Sequence, residues 1–373
     1  MSSYHRTMIV TGVVAASAMM VGTTGAAPGA SATEEPGSSA RAASVERIAS
    51  GLDNVRQLSV TPGGRLLVAE AGHGKWRSRA CRPGAALDML CFGLSGRAFS
   101  MKVTGRDKKS VLKRMPSVRE ASDSYSSGLN GIDKAPNGSI YATVSSMVGT
   151  RPSIAKKLRG KLIKKSRSGK IRVVANPVAL ARRHNWLGRW GSEATDVIAL
   201  RGQVLVLDAD AGVVLRYRKG RLTLWHKPPQ APGTPSYNAA RASAMSIGAD
   251  GYVYVVVRSI QSMTSRVVKL HPNGRVLRTW EGLPRATAAT ATANGQVWLL
   301  QDGTACGRPT TYCAEGVMPI DASGKPSAPV LRINNTGTMV AAKRSLFVTR
   351  YPNETKRPMQ PGRKSGRVLR INP

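Results

Sequence analysis

The sequence is poor in aromatics, in acids and in cysteine. Phe, Trp and Tyr make up 5% of its 373 residues, and the 41% hydrophobic share leans on Val, Ala, Leu and Ile. That balance favours strands over a helical repeat, and it excludes a wholly disordered basic chain. Asp and Glu number 20 against 56 Lys and Arg, a formal net charge of +36. Beyond the N-terminus no apolar run approaches the ~20 residues that cross a bilayer as a helix. Phosphate-binding loops, dinucleotide fingerprints, H-x-x-H and HExxH spacings are all missing. The Gly93-LSG and Gly128-LNG stretches lack the G-x-S-x-G spacing of a nucleophile elbow.

The first 32 residues read as an export signal. His5 and Arg6 form a short n-region, Met8 to Val21 an apolar h-region, and Ala30-Ser31-Ala32 fits a small-residue cleavage site. Residues 33–44 are small and polar, a disordered lead-in to a single domain expected over 45–373. The protein is therefore expected in the cell envelope or extracellular space. Export makes disulfides plausible. Four cysteines allow three pairings, and the local one joins Cys81 to Cys91 and Cys306 to Cys313. A tetrathiolate metal site is the alternative, but the usual C-x₂-C spacing is missing.

Six copies of a turn followed by an alternating strand run along the chain. They are Pro62-Gly63-Gly64 before RLLVAE, Pro136-Asn137-Gly138 before SIYATV, Arg201-Gly202 before QVLVLD, Asp250-Gly251 before YVYVVV, Asn294-Gly295 before QVWLLQ and Lys343-Arg344 before SLFVTR. Tight hairpins need positive φ, which Asn-Gly and Asp-Gly supply. A second hairpin follows most copies, turning at Thr104-Gly105, Ser168-Gly169, Lys219-Gly220, Asn273-Gly274 and Ser323-Gly324. The fourth strand of the fifth unit is expected at Pro329-VLRI. The last unit, ending in GRVLRINP, lacks its fourth strand, and a matching SVERIASGL begins at Ser44. The fold expected is all-β: a six-bladed β-propeller of four-stranded blades, its ring closed by the N-terminal strand joining the last blade. Closure also removes open edges.

In such a blade the first-to-second and third-to-fourth turns share one face. Here they are all short. Every long connection falls on the other face: 71–97, 117–130, 145–160, 177–194, 228–243, 302–315 and 351–365. Long loops gathered on one face point to a binding surface, against the plainer reading of drift by insertion.

The stretch IASGLDNVRQLSVTPGGRLLVAEAGHG, the Cys81 to Cys91 loop with Gly93-LSGRAFSMKV, GKLIKKSRSGKIRVVA and Asp196-VIALRGQVLVLDAD resemble the secreted propellers named after the ScyD and ScyE proteins of scytonemin gene clusters. The resemblance spans nearly the whole mature chain. It implies an exported six-bladed propeller of the NHL and TolB-like kind and supplies no catalytic residue. At Glu193-Ala-Thr-Asp196 and Arg241-Ala-Ser-Ala-Met245 the chain departs from the usual pattern.

Propeller enzymes of the gluconolactonase type hold a divalent cation at the channel mouth. The corresponding positions here are Asn54, Glu70, Asn130, Asp208 and Asp302, oxygen donors of the kind that suits Ca²⁺. The competing reading is that strand-end carboxylates cap their own turns through backbone N–H groups. His73, His184, His226 and His271 are scattered over different blades. From Lys134 to Gly191 there is no acid at all. Helical spacing would line up Ile154, Leu158 and Leu162 as a membrane-surface face, but the repeat register makes Lys161 onward a strand.

The function expected is binding: an exported basic propeller holding an anionic envelope polymer or a partner protein on its loop-rich face. Trp76, Arg77 and Arg79 in the first stapled loop are candidate contacts, as are Arg182, Arg183, Trp186, Arg189 and Trp190 before the third blade. Packing at the loop base is the competing role for these tryptophans. The alternative function is a Ca²⁺-dependent, gluconolactonase-like hydrolase using Glu70, Asn130, Asp208 and Asp302. Dedicated nucleic-acid recognition, which has its own motifs, is not expected. A monomer without a resident cofactor is.

Overall fold

In the computed structural model the second strand of each blade explains its own sequence. Leu66 and Val68 pack into the interface with the preceding blade, while Leu67 and Ala69 pack into the interface with the following one. Val253, Val255 and Val257 against Tyr254 and Val256 divide in the same way. Side chains alternate across a strand, so a sheet covered on both faces needs apolar residues in both registers. That is why these segments read as unbroken Val-Leu runs.

The structure describes residues 43–74, 81–83, 89–120, 126–148, 153–186, 191–229, 240–259, 264–301, 316–333, 336–350 and 366–373. They lie within one compact unit, Arg41–Pro373. From inner strand to rim, blade 1 is Val55–Val60, Arg65–Glu70, Met89–Lys102 and Lys109–Glu120. Blade 2 is Leu129–Lys134, Ile140–Val144, Leu162–Lys165 and Ile171–Ala175. Blade 3 is Ala194–Leu200, Gln203–Asp208, Val213–Arg218 and Arg221–His226. Blade 4 is Arg241–Ile247, Val253–Arg258, Thr264–Leu270 and Val276–Pro284. Blade 5 holds Ala286–Ala291, Val297–Gln301 and Gly316–Pro319, and blade 6 Thr336–Ala342, Ser345–Arg350 and Gly366–Asn372. The rim strand of blade 6 is Ser44–Leu52, antiparallel to Gly366–Asn372 with Ser44 opposite Asn372 and Leu52 opposite Gly366. The ring is thus a six-bladed propeller closed by its N-terminal strand, as expected.

The core is divided into six apolar clusters, one at each interface between neighbouring blades. The cluster between blades 6 and 1 contains Ile48, Ala49 and Leu52 of the closing strand beside Phe347, Val368, Leu58 and Leu66. Buried side chains also tie inner strands together. Asp133 of blade 2 accepts from Ala199 N of blade 3 at 2.7 Å, and Asp196 of blade 3 accepts from Met245 N of blade 4 at 2.7 Å. Ser246 of blade 4 donates to Ala289 O of blade 5. The inner strands of blades 2 and 3 approach so closely that a Cβ at Gly131 would lie 2.4 Å from Thr195 O, and a glycine stands there.

Two local expectations change. The rim of blade 5 is not a regular strand: residues near Leu331 and Pro326 make only isolated bridges to Val317 and Ile320. Pro326 and Pro329 remove two amide donors from that segment, which leaves a broken ladder. In blade 1, part of the expected loop is sheet. The third and rim strands extend to 14 and 12 residues, and Cys81–Pro83 pairs alongside with Cys81 opposite Cys91. These cysteines form the expected disulfide. Cys306 and Cys313 lie outside the described residues.

Short helices occupy two loop-face connections. Helix α1, Ser153–Leu158, buries Ala155 and Leu158 while Ile154 is exposed. Strand Leu162–Lys165 follows it, so no continuous membrane-surface helix forms. Helix α2, Pro177–Arg183, is capped by Asn176, whose side chain accepts from Ala179 N.

Candidate functional site at the channel mouth

Every inner strand carries a β-bulge at the same level. Pairing with the second strand slips between Val55 and Gln57, Leu129 and Gly131, Ala194 and Val197, Ala242 and Ala244, Ala286 and Ala288, and Thr336 and Met339. A bulge inserts one unpaired residue and re-aims its side chain. The residues inside the slips are Arg56, Asn130, Thr195 and Asp196, Ser243, Thr287, and Gly337 and Thr338. All of them line one cavity of about 540 Å³. Because the bulges sit where each inner strand begins, the cavity opens on the face of the long loops. Its wall also includes Ser127, Met147, Glu193, Asp210, Met245 and Met339. Below it the side chain of Gln57, 3% exposed, reaches from blade 1 to two other blades. It accepts from Ile132 N at 2.7 Å and Val197 N at 3.2 Å, and donates to Val197 O at 3.0 Å.

The cavity gathers acids in a chain that has few. Glu193 accepts from Asn130 Nδ2 at 2.6 Å, Ser146 N at 2.9 Å and Ser146 Oγ at 2.5 Å. Each of these partners is neutral. Burial pushes the Asp196 carboxyl up to about 7, against the hydrogen bond from Met245 N. Burial, then the charges of Glu193 and Asp208, push Asp210 up to about 6, while Arg241 opposes them. Asp208 is raised by burial as well, although Ser192, Ala211 N and Glu193 N all donate to its carboxylate.

The anticipated mouth residues divide. Asn130 lines the cavity, whereas Asn54, Glu70 and Asp208 do not. Glu70 is fully buried, takes Arg97 Nε at 2.5 Å and Nη2 at 3.0 Å, and accepts from Asp53 N at 2.6 Å. That hydrogen-bonded pairing raises the Arg97 pKa. Asn54 donates to Gly72 O at 3.0 Å. Asp208 caps its own turn through Ala211 N, the turn-capping role weighed for strand-end carboxylates. Among the described residues no three His, Cys, Asp or Glu are placed to hold a metal ion. Asp302 lies outside them. His73 pairs with Asp53 beside this network, a contact the scattered histidine positions did not suggest.

Of the candidate loop contacts, Arg182 and Arg183 are exposed at the end of α2. Trp186 is half-buried, stacks on His184 with ring centroids 4.5 Å apart, and packs against the cluster between blades 2 and 3. Trp76, Arg77, Arg79, Arg189 and Trp190 lie outside the described residues.

No family model and no curated protein matches the chain. Solved structures do. A virginiamycin B lyase from Staphylococcus aureus is 12% identical, covers 89% of this chain and 99% of its own, and has a TM-score of 0.47. A putative gluconolactonase is 12% identical over 89% of this chain and 92% of its own, with a TM-score of 0.48. A chain of a nidogen–laminin complex is 12% identical over 76% of this chain and 98% of its own, with a TM-score of 0.44. These likenesses concern the fold and transfer no residue roles.

Proposed function

We propose that this chain is an exported binding propeller, of the kind the ScyD and ScyE resemblance implies, that holds a small ligand in the loop-face mouth of its channel. The observation that carries this reading is the ring of six bulges, each turning a residue into one cavity. A volume of about 540 Å³ falls in the range of small-molecule sites. The wall defines the ligand. Met147, exposed on the wall, offers adaptable apolar contact. Asp196 and Asp210 accept hydrogen bonds from hydroxyl or ammonium groups, while Glu193 is held by Asn130 and Ser146. Arg56, on the blade opposite Met245, takes a carbonyl or an anionic tail. Export rests on the N-terminal 32 residues and is supported by the disulfide.

The hydrolase reading needs Ca²⁺ among Glu70, Asn130, Asp208 and Asp302. Glu70 and Asp208 already use their oxygens on Arg97, a serine and backbone amides, so binding is the function the geometry favours. The test is a thermal-shift screen of spermidine, glucosamine, neutral sugars and Ca²⁺ on the mature protein and on Ser243→Trp, which fills the mouth. Stabilisation by an amine or polyol that vanishes in Ser243→Trp supports the reading. A response to Ca²⁺ alone, or stabilisation indifferent to the plug, overturns it.

A further inference from the structure

Blade 2 differs from the other blades in charge. Between Lys134 and Ser192 there are fourteen Lys and Arg and no Asp or Glu. Eight of them are exposed: Lys156, Lys157 and Arg159 at α1, Arg167 and Lys170 at the turn before the rim, Arg172 on the rim strand, and Arg182 and Arg183 ending α2. None of the eight has an ion-pair partner among the described residues; the pairs present there involve Asp53, Glu70, Asp107, Asp250, Glu281 and Glu46 on other blades. Helix C-termini favour cations, which gives four of these residues a local role. Arg159, next after α1, donates from Nε to Ser146 O; Arg167, Lys170 and Arg172 have no such local role.

The cations form a track. It begins at the two helices on the loop face, follows the rim strand Ile171–Ala175, and ends at the short turn on the opposite face. The five-residue strand alone spans roughly 17 Å. A small anion would reach one or two of these charges, whereas a flexible chain of repeating anionic groups can follow all of them.

We propose that the outer edge of blade 2 is a docking track for a linear polyanion with regularly repeated phosphate groups, separate from the channel mouth. A bilayer fits less well. The exposed aliphatics Ile171 and Val173 have counterparts on other rims in Val45, Leu224, Val276, Leu277 and Val330, and this blade's other two, Met147 and Ile154, lie in its loop-face connection, so along the rim only charge sets the blade apart. A single-stranded nucleic acid fits less well too. Base stacking needs exposed aromatic rings, and Tyr141 and Trp186 are buried and half-buried.

The test compares two variants of equal net charge. One carries Lys156→Gln, Lys157→Gln and Arg172→Gln on blade 2. The other carries Arg275→Gln, Lys325→Gln and Arg344→Gln on blades 4 to 6. Binding of the mature protein to immobilised long-chain polyphosphate is measured across a salt series. The blade 2 variant should lose at least about tenfold in affinity, and its log K against log salt slope should shrink by about 2. The control should stay within about twofold of wild type. Lys156→Gln with Lys157→Gln, both exposed on α1, serves as a second variant should the triple one melt early. Equal losses in both sets overturn the proposal, as does stronger binding of wild type to phosphatidylglycerol vesicles or to single-stranded DNA than to polyphosphate.

Discussion

Replacing Gln57 by Leu should destabilise the ring far more than its single amide suggests. The side chain is 3% exposed and serves three blades at once. Leu keeps the approximate volume and removes every hydrogen bond. Ile132 N, Val197 N and Val197 O would each lose this partner. A buried polar group left unsatisfied costs about 1–3 kcal/mol. With part of the loss recovered by relaxation, the expected cost is about 4 kcal/mol. A unit of this size has an unfolding entropy of about 0.7 kcal/mol/K, so Tm should fall by about 6 °C. The companion Gln57→Glu preserves the acceptor and sets a carboxylate against Val197 O. Burial raises the pKa of such an acid in the folded state, so its deficit should be larger at pH 8 than at pH 5. Calorimetry at both pH values reads both effects. A Tm loss below about 1.5 °C for Gln57→Leu, or a Gln57→Glu deficit independent of pH, would refute the role given to Gln57 in tying the blades together.

Leu52→Ala in the closing strand should cost about 2–5 kcal/mol in thermal or chemical denaturation, because Leu52 is 1% exposed at the interface of blades 6 and 1. The same change at Leu277, 37% exposed on a rim strand, should be nearly silent. Stability should also rise on acidification from pH 8 to pH 5.5. Burial raises Asp133 and Asp196 to about 7, so the folded state binds protons that the unfolded chain releases, and the contribution is lost as pH climbs through 7. Asp133→Asn with Asp196→Asn should flatten that dependence in pH-resolved melting curves.

Much of the architecture was legible because turn chemistry and burial pointed the same way. The second strands stand between two interfaces and are apolar in both registers, so their runs were visible beside Asn-Gly and Asp-Gly turns. The closing strand was visible because SVERIASGL shares the rim pattern of VLRTWEGL. The mouth was harder to see. Inner strands are built from Ala, Thr, Ser and Gly and give a weak alternating signal. Their bulges leave a trace all the same. Paired interior positions step by three instead of two, as in Val55 to Leu58, Leu129 to Ile132, Ala194 to Val197 and Ala242 to Met245. Reading that slip would have singled out Arg56, Ser243 and Thr287. Glu193 and Asp196 stand out in the sequence only as departures from the pattern of the propellers it resembles. Glu70 and Asp208 are conspicuous as strand-end acids, yet their partners, Arg97 and Ser192, lie 27 and 16 residues away and emerge only once the strands pair. The broken rim of blade 5 follows from two prolines whose effect on the ladder the repeat pattern masked.

The most direct test of the mouth as a binding site is to purify the protein from its native source, denature it, and identify released small molecules by mass spectrometry. Ser243→Trp, prepared in the same way, is the reference. A hydroxyl- or amine-bearing compound is expected in near-equimolar amount from wild type and absent from the plugged variant. The same compound in equal amount from both proteins would contradict it.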